Sequence, residues 1–104
     1  QNISNNINVV PNPYFVHSNF NETEYMRQIR FTHLPEKCKI TIFTISGEKV
    51  ISFDHEDEAD GNHWWNVRTV NNQEVAPGLY IFPVENLTPG FKNEKFIGKF
   101  AIIK

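Results

Sequence analysis

The order of apolar and polar positions along the chain reads as strands and turns. Over residues 25–33 (YMRQIRFTH) the alternation has period two. It sets Ile29 and Phe31 on one face and Arg30 and Thr32 on the other, the pattern of a half-buried antiparallel strand. Leu34-Pro35-Glu36-Lys37 turns the chain, and the next strand carries Cys38, Ile40 and Ile42 inward, opposite Lys39 and Thr41. Ser46-Gly47 suits a tight hairpin turn, where Gly takes the positive φ required, and residues 49–53 (KVISF) return as a strand. The tract 54–62 (DHEDEADGN) reads as an acidic loop. After it His63, Trp65 and Val67 alternate with Trp64 and Asn66. Residues 69–78 form a long polar turn closed by Pro77-Gly78, 79–85 a strand, 86–94 a loop, and 95–103 a last strand ending in Ala-Ile-Ile.

Upstream, residues 7–10 are a short apolar strand stopped by Pro11-Asn12-Pro13. Pro11 cannot donate to a ladder and Pro13 biases Asn12 toward an extended conformation, so the segment marks an edge or a strand exit. Tyr14, Phe15 and Val16 follow and are placed to tuck back over the core. Residues 1–6 read as a linker or frayed terminus and 17–24 as a loop. Nowhere does a 3.6-residue apolar period persist beyond one turn. About seven strands in 104 residues predict an all-β chain, an immunoglobulin-like (fibronectin-III-like) antiparallel β-sandwich formed as a single domain over 7–104. The Cys-Trp-Cys spacing of antibody domains is absent. Tyr80 opens the sixth strand, where such folds place a tyrosine whose hydroxyl bonds nearby backbone.

Composition narrows the function more than it points to one. A chain of this length buries roughly two thirds of its unfolded surface, so it folds without a metal or disulfide. Nine Phe supply large core pieces. A formal charge of −2, with Lys and Arg scattered, gives no electrostatic reason to bind nucleic acid or an anionic membrane. No apolar run approaches the ~18 residues of a membrane span. The chain starts at Gln1 without Met or a visible signal peptide, which reads as a piece of a longer or processed protein.

Candidate chemistry is sparse. Cys38 is the one cysteine, and its strand neighbours make it a small buried hydrophobe. His33 is its nearest histidine, but no orienting third residue or oxyanion device accompanies the pair. The four histidines (His17, His33, His55, His63) lack ligand spacing, so no metal or cofactor is expected. Five carboxylates within 54–60 raise calcium, yet their spacing differs from the helix–loop–helix Ca²⁺ motif, and a solvated loop is the expectation. Asn-x-Ser/Thr sequons begin at Asn2, Asn21 and Asn86, and matter only in a secreted eukaryotic chain.

Four segments in order carry a resemblance: PNPYF at 11–15, IRFTHLPEKCKITIFTISGEKV at 29–50, WNVRTVNNQEVAPGLYIF at 65–82 and GKFAIIK at 98–104. Together they resemble the Ig-like domain family named after the flagellar hook-capping protein. They also resemble related C-terminal domains of secreted bacterial proteins, including sorting domains of the Bacteroidetes type IX secretion system. The resemblance implies a non-catalytic module of a larger exported protein, extracellular or at the cell surface. Its roles would be sorting, anchoring or assembly. Pro11, Asn12, Pro13, Gly78, Tyr80, Lys99 and Lys104 stand where that family's Pro-Asn-Pro, Gly-x-Tyr and basic-apolar last strand recur. The generous 17–24 and 86–94 loops depart from that pattern. The implied partners are other domains of the same polypeptide, and secretion machinery or neighbouring subunits meeting strand edges.

The two tryptophans divide by phase. Trp65 faces inward and braces the core within 64–82, and Trp64 points outward. A covered Trp64, under the 86–94 loop or against a neighbouring domain, is the structural expectation. The alternative is a carbohydrate-binding module in which Trp64 acts with Tyr14 or Phe15, and an exposed Trp64 in a groove beside polar side chains would favour it.

Overall fold

The computed structural model describes residues 7–15, 28–57, 59–90 and 94–103. Eight strands run along them: β1 (Asn8–Val10), β2 (Tyr14–Phe15), β3 (Ile29–Thr32), β4 (Lys37–Thr44), β5 (Lys49–Glu56), β6 (His63–Trp65), β7 (Gly78–Asn86) and β8 (Lys95–Ile103). They form a three-stranded sheet in the order β1-β3-β6 and a five-stranded sheet in the order β2-β8-β7-β4-β5. The inward residues of both enclose one core, so the chain is all-β and sandwich-like.

The strand count is eight rather than about seven, and Pro-Asn-Pro is the reason. Pro11 and Pro13 stop the first strand and redirect the chain from one sheet to the other. The apolar residues on either side therefore form separate strands, β1 pairing with β3 and β2 with β8. The β2–β8 pairing is parallel, so the sandwich is not purely antiparallel. Asn12 completes the crossing with its side chain. Its Nδ2 donates to the Lys99 carbonyl at 3.3 Å, and its Oδ1 accepts from the Ala101 N–H at 3.2 Å. The amide thus stands in for one residue of a ladder along the β8 edge.

Other boundaries shift for local reasons. β5 continues through Asp54, His55 and Glu56, because cross-strand pairing with Lys39, Cys38 and Lys37 outweighs their loop-like composition. The acidic loop therefore starts at Asp57. The strand expected over 25–33 is seen from Ile29 and ends at Thr32, where His33 takes a φ of 60°. The expected linker 1–6, Val16, the 17–24 loop and residues 25–27 lie outside the described residues, as do 91–93 and Lys104.

The expected inward phase of β4 holds: Cys38, Ile40 and Ile42 are buried. At the centre Phe31 of the small sheet meets Phe82 and Phe100 of the large one, with ring centroids 5.2 and 6.5 Å apart. Trp65 packs edge-on to Phe100 at 6.1 Å and to Phe53 at 6.2 Å, and its Nε1–H donates to the Arg68 carbonyl at 2.9 Å. Both halves of an amphipathic ring are thereby satisfied.

Tyr80 stacks on Phe100 at 5.4 Å, and its hydroxyl donates to the Ala76 carbonyl. That bond ties the end of the 66–77 loop to the start of β7. Tyr80→Phe keeps the ring and leaves the carbonyl to find water, and it is expected to cost about 1–1.5 kcal/mol in a urea unfolding curve. An unchanged urea midpoint would show that the hydroxyl contributes nothing net.

Candidate functional site

Two surfaces merit description, one on each side of the sandwich. The first is where β2, β8 and β7 lie side by side. Gly78 pairs with Ile102, Tyr80 with Phe100, and Tyr14 with Ile102 from the other edge. With Asn12 bonded to Lys99 and Ala101, the structure brings Pro11–Pro13, Gly78, Tyr80 and Lys99 to one end of the large sheet. The first group lies 65 or more positions from Gly78, so only the sheet order unites them. Trp65 reaches the same cluster from the small sheet through Phe100.

Partners in register share a face. On the outer face of the large sheet the pairs are Phe15–Ile103, Ala101–Leu79, Ile97–Pro83 and the triple Lys99–Ile81–Phe43. Leu79 and Ile97 are 55% and 69% exposed. Toward the other end the face turns charged, as Lys95, Glu85, Lys39 and Asp54 follow one another across four strands. An apolar stripe grading into alternating charge suits protein contact.

The second surface is the opposite, open side, between the edge strands β5 and β6. A groove of about 460 Å³ runs there, lined by Ile51, Phe53, Trp64 and Trp65 and by the polar Gln28, Asn66, Thr69 and Asn72. Val70, 75% exposed, is also in its lining. Trp64 is 55% exposed, so no loop among the described residues covers it, and of the covered expectations packing against a neighbouring domain stands. The Arg30 guanidinium, its partner across β3–β6, lies 5.3 Å from the ring centroid, a cation–π contact. Tyr14 is buried and Phe15 sits on the far edge of the other sheet, so the structure does not assemble Trp64 with either.

The loop bordering the groove is held by its own backbone. Thr69 N donates to Gln73 O, Asn72 N to Thr69 O, and Arg68 Nη1 to Asn72 O. Val67 takes a φ of 60°, rare for a β-branched residue, and is buried beside the Trp65–Arg68 bond. Sequence reasoning missed Gln28, Asn66, Thr69 and Asn72. Amides and hydroxyls in a polar turn look like any other loop until folding lines them against an aromatic floor.

The remaining candidates are structural in their contacts. Cys38 is buried and its thiol is pushed up to about 12, by burial first and then by the charge of Asp54. His33 bonds its neighbour Thr32. Asp57 Oδ1 accepts from the Ala59 and Asp60 N–H groups, and Asp60 Oδ1 accepts from Asn62. These carboxylates act as turn acceptors, and no three metal-ligating side chains converge among the described residues. Asn86 is buried, with its amide on Glu94 and Thr88, which closes that sequon to a glycan. Asn2, Asn21 and His17 lie outside the described residues.

His63 stacks on Phe53 with ring centroids 4.5 Å apart and faces His55 at 6.1 Å. Burial, and then the charge of His55, hold its pKa below the ordinary 6.5. The folded state therefore prefers neutral His63. The stability this provides is complete above about pH 6.5 and is lost as pH falls through the folded value. The His63 Cε1–H resonance should titrate below 6.5, and His55→Gln should move it upward. A midpoint at or above 6.5 in the parent would contradict this environment.

No protein-family model matches the chain, and no curated protein does. Among solved structures it is similar to PorZ, described as an essential bacterial surface component of the type-IX secretion system of Porphyromonas gingivalis. The TM-score is 0.71 at 23% identity, over 96% of this chain and 12% of the PorZ chain. At that identity the likeness is one of fold, to a small part of a much longer protein. Among the described residues, no helix is long and apolar enough to cross a membrane.

Proposed function

We propose that this chain is a non-catalytic, immunoglobulin-like module of a larger exported bacterial protein, at the C-terminal end, serving secretion, surface anchoring or assembly. The carrying observation is the convergence on one sheet end of Asn12, Gly78, Tyr80 and Lys99. Three motifs that recur in sorting domains are thus one physical unit in this chain. The likeness to part of a type-IX secretion component supports the same reading, as does the location it suggests, extracellular or at the cell surface.

The immunoglobulin-like assignment rests on strand order. The first, third and sixth strands form one sheet, and the second joins the last in the other. The Tyr80 hydroxyl reaches backbone four residues upstream, as a tyrosine corner does. The apolar outer stripe of Leu79, Ile97 and Ile103 would pack against other domains of the same polypeptide, and the part of β8 that β2 and Asn12 leave uncovered would meet the secretion machinery.

The test is a fusion of residues 1–104 to the C-terminus of a periplasm-directed fluorescent reporter, expressed in a bacterium with type IX secretion. The reporter is expected on the surface or in the medium, and to be retained when the secretion pore is deleted. Retention in the parent strain would overturn the sorting role and leave anchoring and assembly, which fractionation of the full-length parent protein tests separately.

A further inference from the structure

We propose that the groove between β5 and β6 is a binding site for a neutral, β-1,4-linked oligosaccharide, with Trp64 as its stacking platform. The inference is independent of the secretion reading, since it uses the opposite side of the sandwich.

The lining has the two kinds of surface a pyranose chain presents. Trp64, Phe53 and Ile51 offer aromatic and aliphatic area to the flat C–H faces of equatorially substituted sugars. Gln28, Asn66 and Asn72 each carry an amide donor and acceptor, and none of these side chains makes a hydrogen bond among the described residues. Thr69 Oγ1 already accepts from Asn71 and Gln73, which leaves its hydroxyl hydrogen to donate outward. Ring hydroxyls, which donate and accept at once, match that set.

Charge decides for a neutral ligand. No carboxylate, ammonium or guanidinium is among the described lining residues, and the Arg30 guanidinium beside them is engaged on the Trp64 ring. Arg68, at the base of the loop, is engaged by Glu74 at 3.8 Å. The groove's volume falls within the ~300–1,000 Å³ of small-molecule clefts. Its walls are also held in advance: Arg30 restrains the Trp64 ring, and the 66–74 loop is closed by its own bonds. Less ordering then remains to be done on binding.

A peptide strand is the rival occupant. The eight-residue edge strand β5 could accept one, which the peptide arm of the experiment tests, but β6 offers a poor edge. The strand is three residues long and stops before Val67, whose left-handed backbone turns the edge away. An added strand needs a longer run of free backbone groups.

The experiment titrates the ¹⁵N-labelled chain with cellohexaose, chitohexaose and β-1,4-mannohexaose. The Trp64 indole N–H and the Gln28, Asn66 and Asn72 side-chain amides are followed. At least one hexasaccharide is expected to give saturable shifts confined to these groups. Trp64→Ala should weaken that binding about tenfold or more while leaving the thermal midpoint near the parent's, because the ring is exposed. Asn66→Ala, a second exposed position, should weaken it less and fold normally. The proposal is overturned if none of the three sugars gives a saturable shift, or if Trp64→Ala binds as the parent does. It is equally overturned if the groove resonances respond to heparin or to an extended peptide and not to the neutral sugars.

Discussion

Trp65→Ala is expected to lower the unfolding free energy by about 3–5 kcal/mol, the range for removing a fully buried aromatic side chain. Trp65, on the small sheet, is 1% exposed and touches the rings of Phe53 and Phe100 on the large one. Those rings stand on β5 and β8, non-adjacent strands of the large sheet, so neither can fill the void without pulling away from its own strand. The loss also strands the Arg68 carbonyl that the indole N–H satisfies, which adds about 1 kcal/mol when the group stays dry. Small domains have about 5–15 kcal/mol in all, so a protein at the lower end of that range would be largely unfolded by this change alone. Trp65→Phe separates the two contributions, since it keeps most of the ring packing and gives up the hydrogen bond. Guanidinium unfolding of both variants, with the slope checked against the parent, measures them. A loss below about 1 kcal/mol for Trp65→Ala would mean that the two sheets do not depend on this ring.

Neighbouring Trp64 should behave in the opposite way in the same assay. It is the next residue on the same strand, yet it faces out, and its removal touches no core ring. The pair thus divides fold from recognition within two positions. Period-two alternation makes that division legible from sequence, because it assigns faces along a strand without needing the partner strand. The same logic placed Cys38, Ile40 and Ile42 inward, and the bounds of the last strand agree as well.

What alternation cannot assign is sheet membership. Tyr14 and Phe15 are two residues with no period to read, and their strand exists because Ile102 and Ile103 lie beside them. Asp54, His55 and Glu56 look like loop and are strand for the same reason, since β4 supplies their ladder. The groove fails to show in sequence for a further cause. Its floor comes from β5 and β6, its rim from Gln28 and the 66–72 loop, and only the open side of the sandwich joins them. By contrast, the motif residues at 11–13, 78–80 and 99 could be named individually. That Asn12 bonds β8 through its side chain, and so makes one unit of them, required the fold.

Gly98→Ala is expected to destabilise the protein by about 1–3 kcal/mol, although replacing Gly within a strand ordinarily helps by roughly 0.5–1 kcal/mol through lost unfolded-state freedom. The sign turns on Phe82, which pairs with Gly98 across β7–β8 and lays its ring over the space a methyl would take. A Cβ at position 98 would stand 2.5 Å from Phe82 Cε1, closer still to Cζ, and 2.9 Å from Phe96 Cε2. The Phe82 ring has little room to yield, because Phe31, Phe96 and Phe100 surround it with centroids 5.2, 5.9 and 5.9 Å away. Overpacking therefore exceeds the entropic gain. The cost should also be conditional on that ring: Phe82→Leu, destabilising alone, should lose less further stability on adding Gly98→Ala than the parent does. That coupling, read from a double-mutant cycle of urea unfolding energies, distinguishes a clash with Phe82 from a general intolerance of β8 to side chains. A Gly98→Ala protein as stable as the parent would show instead that Phe82 pivots freely. The aromatic cluster joining the two sheets would then be looser than its ring geometry implies.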